Sequence, residues 1–195
     1  MRARQPRTPS DTSPAAAAIA GIVLLGRREL TASQLRERLL RKGYPDASVA
    51  EAIDRLTARG LVDDARAAGA RARHGVVVHR RGRARVLREV KSIGVPDETA
   101  RRAVAAAFDE VDEDRMVAEA VQRKLRGAAI PKDARERQRL YGWLLRQGFD
   151  AHRIQRVLKD VASAGWDEGR RAFARDLESA RGSRVIEEEL VPPRR

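Results

Sequence analysis

The sequence predicts an all-α protein built as a tandem array of short helices. Within its 195 residues, three segments each contain an arginine-rich amphipathic helix, a glycine and a second amphipathic helix. The three glycines, Gly43, Gly94 and Gly148, are spaced by 51 and then 54 residues. A near-constant period of this kind is typical of repeat architectures, which usually present an extended surface to a large partner and enclose no catalytic pocket.

The apolar positions of the three segments coincide when the segments are aligned on their glycines. They lie eight and four residues before each glycine and six and ten residues after it, and the first set is Leu35, Val86 and Leu140. Helices with one buried face repeat their apolar residues every three to four positions. The alignment therefore predicts that each repeat buries the same face.

The first repeat contains three predicted helices. The first covers about residues 15–27, and the second begins at Thr31 or Ser33, whose hydroxyls can cap free amide groups. The second helix ends at Gly43, which can adopt the left-handed conformation that closes a helix. The third runs from Pro45 to Gly60.

The second repeat follows a connector in which Asp63 or Asp64 can cap the next helix. That helix, residues 64–74, is rich in Ala and Arg and contains Gly69, so it has almost no large apolar face. We expect residues 76–78 to join helices, with a short extended piece as the alternative, and two further helices to cover residues 81–93 and 97–108.

The third repeat begins at an acidic run, residues 109–114, which favours a helix N-terminus through the helix dipole. A weak Mg²⁺ site is the alternative interpretation of this run. One predicted helix ends near Leu125, the next starts after Pro131, and the last follows Gly148. A further helix is a candidate at residues 167–181.

These patterns divide the chain into five parts. We expect a flexible N-terminal arm at 1–14, three-helix repeats at 15–60, 61–108 and 109–162, and a partly helical or disordered extension at 163–195. The polar arm lacks the apolar segment of a signal peptide. No apolar run reaches the roughly 20 residues that span a bilayer. The simplest expectation is a cytoplasmic protein that makes no membrane contact.

Composition narrows the function. The absence of cysteine excludes disulfides and thiolate chemistry. His74, His79 and His152 show no paired metal-ligand spacing, and no nucleotide-binding loop or nucleophile elbow is present. We therefore expect no cofactor, no metal and no catalytic residue, and we expect that the protein is not an enzyme. The formal net charge of +13 favours a polyanionic partner, although a bias toward arginine codons can account for part of it.

The charge concentrates between Arg71 and Lys91, where eight basic residues accompany the single acid Glu89. At about 100° per residue, three arginines fall almost opposite the buried stripe of the predicted helix and should point outward together. An ordinary solvated face is the alternative. The residues that we expect to contact a partner or DNA are Arg81, Arg85 and Arg88, then Arg83, Lys91, Arg36, Arg41, Lys42, Arg135 and Arg139.

Several stretches also resemble a known family. Residues 27–31, with Gln34-Leu35 and residues 39–44, resemble the first repeat of RecX regulatory proteins, and Leu61-Val62-Asp63-Asp64 is similar to the family's connector. Residues 82–95 match the spacing of its second repeat, and residues 140–158 resemble its third. The resemblance covers residues 15–161. One departure is that Ala65 to Ala68 lack the aromatic or large residue usual after the connector.

The resemblance implies nine helices in three stacked three-helix repeats that form an elongated, curved rod. It also implies a regulatory protein, not an enzyme, that binds the RecA recombinase or its filament on single-stranded DNA. Such a protein restrains filament growth, ATP hydrolysis and strand exchange, and so modulates recombination, DNA repair and the SOS response. Single-stranded DNA is the expected nucleic-acid partner, double-stranded DNA is a further candidate, and we expect a monomer.

The alternative function is a sequence-nonspecific DNA-binding module that acts without a recombinase. Small three-helix units and the net charge favour it. Against it, no helix carries the mixture of Asn, Gln, Ser and Arg that reads base edges.

Overall fold

The computed structural model describes residues 10–163, and within that range the chain forms nine α-helices and no strand. The predicted all-α class is confirmed. The helices are α1 (Pro14–Leu25), α2 (Ala32–Arg41), α3 (Asp46–Ala58), α4 (Asp64–Val77), α5 (Arg83–Lys91), α6 (Asp97–Ala107), α7 (Glu113–Leu125), α8 (Ala134–Gln147) and α9 (Ala151–Ser163). Most of the predicted arm and the candidate helix at 167–181 lie outside the described residues.

The chain divides into two compact units. The first contains the residues up to Glu113 together with the short segment Gln147–Phe149. The second contains Asp114–Arg146 and the residues from Asp150 onward. The first unit thus holds helices α1 to α6.

In the first unit, α1, α2 and α3 pack around a leucine-rich core. Leu35, Leu39 and Val49 are fully buried, as the aligned apolar positions predict. Gly21 allows α1 to approach α3 closely, because a Cβ there would lie 2.8 Å from Leu56 Cδ1. Thr31 is the cap of α2, since its Oγ1 accepts a hydrogen bond from the Gln34 amide at 3.1 Å.

Helices α4, α5 and α6 pack together with unusually small side chains. Helix α4 is longer than predicted, since it runs on to Val77, and its buried face is made mostly of small residues such as Ala68 and Ala72, with Val76. Val76 therefore belongs to the helix and not to a connector. Because Gly75 has no side chain, α4 can pack closely against α5 without large apolar residues between them. A Cβ at Gly75 would lie 3.0 Å from Val86 Cγ2.

The glycine of the second repeat joins the first two repeats. Gly94 has φ +80°, and a Cβ built on it would lie 2.5 Å from Ser33 Oγ. Beside it, the fully buried Thr31 donates its hydroxyl to the Ile93 carbonyl at 2.6 Å. The repeat glycine thus closes α5 and also leaves space for the start of α2.

The glycine of the third repeat makes the equivalent contact with α5. Gly148 has φ +91°, and a Cβ there would lie 2.3 Å from the Arg85 backbone nitrogen. The Gly82 amide donates to the Gln147 carbonyl at 3.0 Å, and the Ala84 amide donates to the Gly148 carbonyl at 3.1 Å. These bonds satisfy free amides at the start of α5, which has no side-chain cap.

The second unit contains most of α7, α8 and α9. An ion-pair cluster links α7 to α9, because Asp114 binds Arg153 at 2.9 Å and also binds Arg156. Burial opposes the ionisation of Asp114, but hydrogen bonds from both arginines outweigh it and lower the pKa of the carboxyl. At least one member of the acidic run is therefore a partner for basic side chains.

Candidate functional site

The arginines of the second repeat do not point outward together as predicted. Helix α5 begins at Arg83, so Arg81 lies in the preceding turn and does not follow the helical projection. Arg81 and Arg85 both turn toward Glu89, and their side chains are only 21% and 32% exposed. Of the three, only Arg88 is exposed, and its side chain forms no ion pair or hydrogen bond within residues 10–163. Intramolecular pairing explains the difference.

Glu89 is the centre of this arrangement, which we call the Glu89 cluster: Arg71, Arg81, Arg85 and Glu89. Arg85 Nε lies 3.2 Å and Arg71 Nη2 3.3 Å from the Glu89 carboxylate, and Arg81 also binds it. Arg85 donates a further hydrogen bond to Gln147 Oε1 at 3.0 Å. The carboxylate joins α4, α5 and the turn between them.

The electrostatics of the cluster favour an ionised Glu89. The side chain is only 18% exposed, and this burial opposes its charge. Hydrogen bonds from Arg81 and Arg85, with the positive charges of Arg81 and Arg71, outweigh burial and lower the pKa of Glu89. Partial desolvation and the positive charge of Arg81, with smaller contributions from His74 and Arg71, lower the pKa of His79. Three guanidinium groups share one carboxylate, so the cluster is structural and keeps an excess of positive charge.

Two other predicted cations of the second repeat are also paired. Arg83 lies over the Phe108 ring at 4.7 Å and donates to Glu113 Oε1 at 2.9 Å. Lys91 Nζ lies 2.8 Å from Asp97 Oδ2. Both side chains keep substantial exposure, so either can still face a partner, but each already neutralises an acid.

In the first repeat, the predicted cations differ in how firmly they are held. Arg36 forms an ion pair with Asp46, and Arg41 lies 3.8 Å from Glu37. Lys42 is exposed at the end of α2, and no ion pair is found for it among residues 10–163.

The predicted cations of the third repeat are the least constrained. Arg135 and Arg139 are exposed on α8, and neither forms an ion pair or hydrogen bond within residues 10–163. The density of charge along the sequence favours the second repeat over these two residues, because it does not include the acids that pair with each cation. Arg146 and Trp143 are not among the predicted contacts, although their spacing from Arg135 and Arg139 places all four residues on one face of a helix.

No further site chemistry is found in the described part of the chain. Residues 10–163 hold no group of three His, Asp or Glu side chains arranged to bind a metal ion. Within the acidic run, Glu113 and Asp114 are engaged with arginines. None of the nine described helices combines the length and apolarity that crossing a membrane requires.

Comparisons with known proteins agree with this architecture. Residues 20–56 match the model of the first three-helix domain of RecX, and residues 112–158 match that of the third. A crystal structure of RecX from Lactobacillus salivarius aligns with 76% of this chain and 96% of its own at a TM-score of 0.64. At 16% sequence identity, that likeness shows the fold.

Sequence relatives show the family. The regulatory protein RecX of Halorhodospira halophila is 33% identical over 154 residues, which cover 76% of this chain and 87% of the relative. That of Syntrophotalea carbinolica is 30% identical over 65% of this chain and 83% of its own length. With matched domains, fold and sequence in agreement, the chain belongs to the RecX family of regulatory proteins.

Proposed function

We propose that this protein binds the RecA recombinase, as a filament on single-stranded DNA, and restrains its growth, ATP hydrolysis and strand exchange. Membership of the RecX regulatory family is the observation that carries the proposal. The basic, helical surface agrees with it, because a nucleoprotein filament displays both protein carboxylates and DNA phosphates.

The contact residues follow from exposure and pairing. Arg88 and Lys42 in the first unit, and Arg135 and Arg139 in the second, are exposed and form no ion pair among residues 10–163, so they can contact a partner without breaking internal bonds. Arg36, Arg41, Arg83 and Lys91 are secondary contacts because each must leave or share an acid.

Arg81 and Arg85 are better assigned to positioning. Both bind Glu89, and Arg85 also holds Gln147, so they fix the turn and helix from which Arg88 projects. Reversal of either charge would place a second carboxylate beside Glu89 and disrupt the fold. A functional test must therefore use Arg88 and Lys42.

The test is RecA ATP hydrolysis on single-stranded DNA, with this protein added well below the RecA concentration. We expect inhibition at such sub-stoichiometric amounts, because a regulator that acts on filament ends or along the filament need not coat the DNA. Inhibition that appears only when the DNA is coated would contradict the proposal and favour the DNA-binding module without a recombinase partner.

A matched pair of variants locates the contact. Arg88→Glu with Lys42→Glu should weaken inhibition strongly, while Arg101→Glu with Arg102→Glu, the same charge change on the exposed face of α6, should weaken it less. Equal effects would mean that overall charge, and not the proposed surface, governs inhibition. Helix content measured by circular dichroism confirms that both variants are folded.

A further inference from the structure

One face of α8 combines three arginines with a tryptophan. We call it the α8 stripe: Arg135, Arg139, Trp143 and Arg146. At 100° and 1.5 Å per residue, these four positions fall within about 80° of the helix circumference and extend over about 16 Å. The buried Leu140 and Leu144 lie on the other side of the helix. The stripe is therefore a continuous outer face.

The charges of the stripe are available for binding. All three of its arginines are exposed, and none forms an ion pair or hydrogen bond within residues 10–163. The only acid of α8, Glu136, lies at the edge of the stripe and forms no ion pair with it. Guanidinium groups without internal partners can bind phosphate oxygens and need not give up an existing bond.

Trp143 is the feature that distinguishes this surface from an ordinary basic face. The indole is partly exposed, and Lys124 Nζ lies 5.4 Å from the centre of its ring. Lys124 is itself an exposed, flexible side chain at the end of α7, so it covers the ring without sealing it. A planar ligand can displace it, and the released ammonium can then bind a neighbouring phosphate.

We propose that the α8 stripe binds single-stranded nucleic acid, with its arginines on successive phosphates and an unpaired base stacked on Trp143. Basic grooves that carry aromatic side chains bind single strands in this way. A duplex uses its bases to stack on one another, so it would engage the arginines but leave the indole unused. The inference rests on the proposed function, since it names the nucleic-acid contact of a filament regulator, but it is tested separately.

The first experiment uses Trp143 as its own reporter. The chain has two tryptophans, and Trp166→Phe leaves Trp143 as the only one. Titration of this variant with an oligo(dT) strand should quench its fluorescence in parallel with binding measured by anisotropy of the labelled strand. A self-complementary DNA hairpin with the same number of nucleotides should bind with little quenching. Saturated oligo(dT) binding without quenching would overturn the proposal.

The second experiment removes the ring. Trp143→Leu should weaken oligo(dT) binding about tenfold and leave duplex binding unchanged, because stacking energy is lost only for the single strand. Trp143→Phe, which keeps an aromatic face, should recover part of the lost affinity. This recovery would show that the leucine variant binds weakly because it lacks an aromatic ring, and not because it is misfolded. Equal binding by all three proteins would contradict a stacked base.

The third experiment removes the charges. Arg135→Gln with Arg139→Gln should lower the salt dependence of oligo(dT) binding by about 1.4 in slope, because each single-strand phosphate contact contributes about 0.7. The control, Arg101→Gln with Arg102→Gln, removes the same charge from α6, where both arginines pair with acids, and should change the slope less. Equal slopes for both pairs would exclude a specific role for the stripe.

The outcomes separate this inference from the proposed function. If the Trp166→Phe variant inhibits RecA ATP hydrolysis but Trp143 does not respond to oligo(dT), only the α8 stripe assignment fails. If Trp143 is quenched and RecA is not inhibited, the stripe assignment stands and the filament-regulator proposal fails.

Discussion

The Glu89 cluster and the α8 stripe each contain three arginines, but the arginines have different surroundings. Each gathers three arginines, yet those of the cluster share the carboxylate of Glu89, whereas those of the stripe have no acid partner within residues 10–163. The cluster joins α4 to α5 and the turn between them, and the stripe leaves one face of α8 open. The density of charge in a sequence therefore does not show which surface is available to a partner.

The reason lies in the cost of an unpaired charge. A partly buried guanidinium loses water and needs a carboxylate or carbonyl to compensate, whereas an exposed one remains hydrated. Arg81 and Arg85 are about a fifth and a third exposed, so pairing with Glu89 offsets the water that their guanidinium groups lose. The arginines of the stripe are exposed and can exchange water for phosphate.

The largest expected effect concerns the segment that holds the start of α5. Gly148→Ala should lower the free energy of unfolding by about 3 kcal/mol, because the new methyl group meets the Arg85 backbone at 2.3 Å and φ is +91°. Urea denaturation measures the change. Loss of this contact should also loosen Arg85 from Gln147 and so weaken the Glu89 cluster.

Gly127→Ala is the matched control for that substitution. Gly127 has φ +85°, but a Cβ there would find no atom within 4 Å. We expect a loss of only about 1 kcal/mol from backbone strain. If the two alanine variants were equally stable, the close approach of Gly148 to α5 would not contribute to stability.

The next largest effect on stability is expected when the Glu89 carboxylate, which three arginines share, is removed. Glu89→Gln should lower the free energy of unfolding by about 2 kcal/mol, less than for a fully buried pair because the four side chains stay 18% to 35% exposed. The control, Glu51→Gln, breaks the exposed pair with Arg55 and should cost less than about 0.5 kcal/mol. Similar losses in both variants would contradict the central role of Glu89.

The pH dependence of stability in the wild type and in Glu89→Gln tests whether the ionised Glu89 carboxylate is the stabilising form. The pKa of Glu89 is lower in the folded protein than in the unfolded chain, so its stabilising effect is complete above the pKa of an unfolded glutamate. That effect is lost as the pH falls through the folded pKa. The stability difference between the wild type and Glu89→Gln should therefore shrink in acid. If the stability difference between the two proteins grew on acidification, the lowered pKa of Glu89 would be contradicted.

The smallest effect is expected in the stripe. Arg135→Gln with Arg139→Gln should change the free energy of unfolding by less than about 0.5 kcal/mol, because no internal contact of either side chain within residues 10–163 is lost. Thermal unfolding followed by circular dichroism measures it. A large loss would show that the stripe is structural, as the Glu89 cluster is, and would remove the difference between the two regions.

Much of the fold was predictable because local rules act over a few residues. Thr31 and Asp63 cap α2 and α4 through amides three residues ahead, and the sequence places both among the candidates. Ten of the twelve aligned apolar positions, Leu35 and Val86 among them, are buried as predicted. The other two, Ile53 and Leu158, are only partly buried. Helix ends and buried faces depend on neighbours within one or two turns, so the sequence predicts them.

The candidate site was less predictable because it depends on distant residues. Glu89 binds Arg71, 18 positions earlier, and Arg85 reaches Gln147, 62 positions later. No period in the sequence indicates these pairs. The sequence predicts Gly94 and Gly148 as helix ends. It does not predict that the same glycines also approach Ser33 and Arg85 closely, because those residues are distant in the sequence.

The sequence by itself determined the all-α class, the repeat glycines, the helix caps and the overall positive charge, because each follows from residue type and short-range spacing. Only the tertiary structure decided which arginines form ion pairs with Glu89 and which stay exposed on α8. The physical reason is that a charge pairs with the nearest opposite charge in space, and packing of the helices sets that distance.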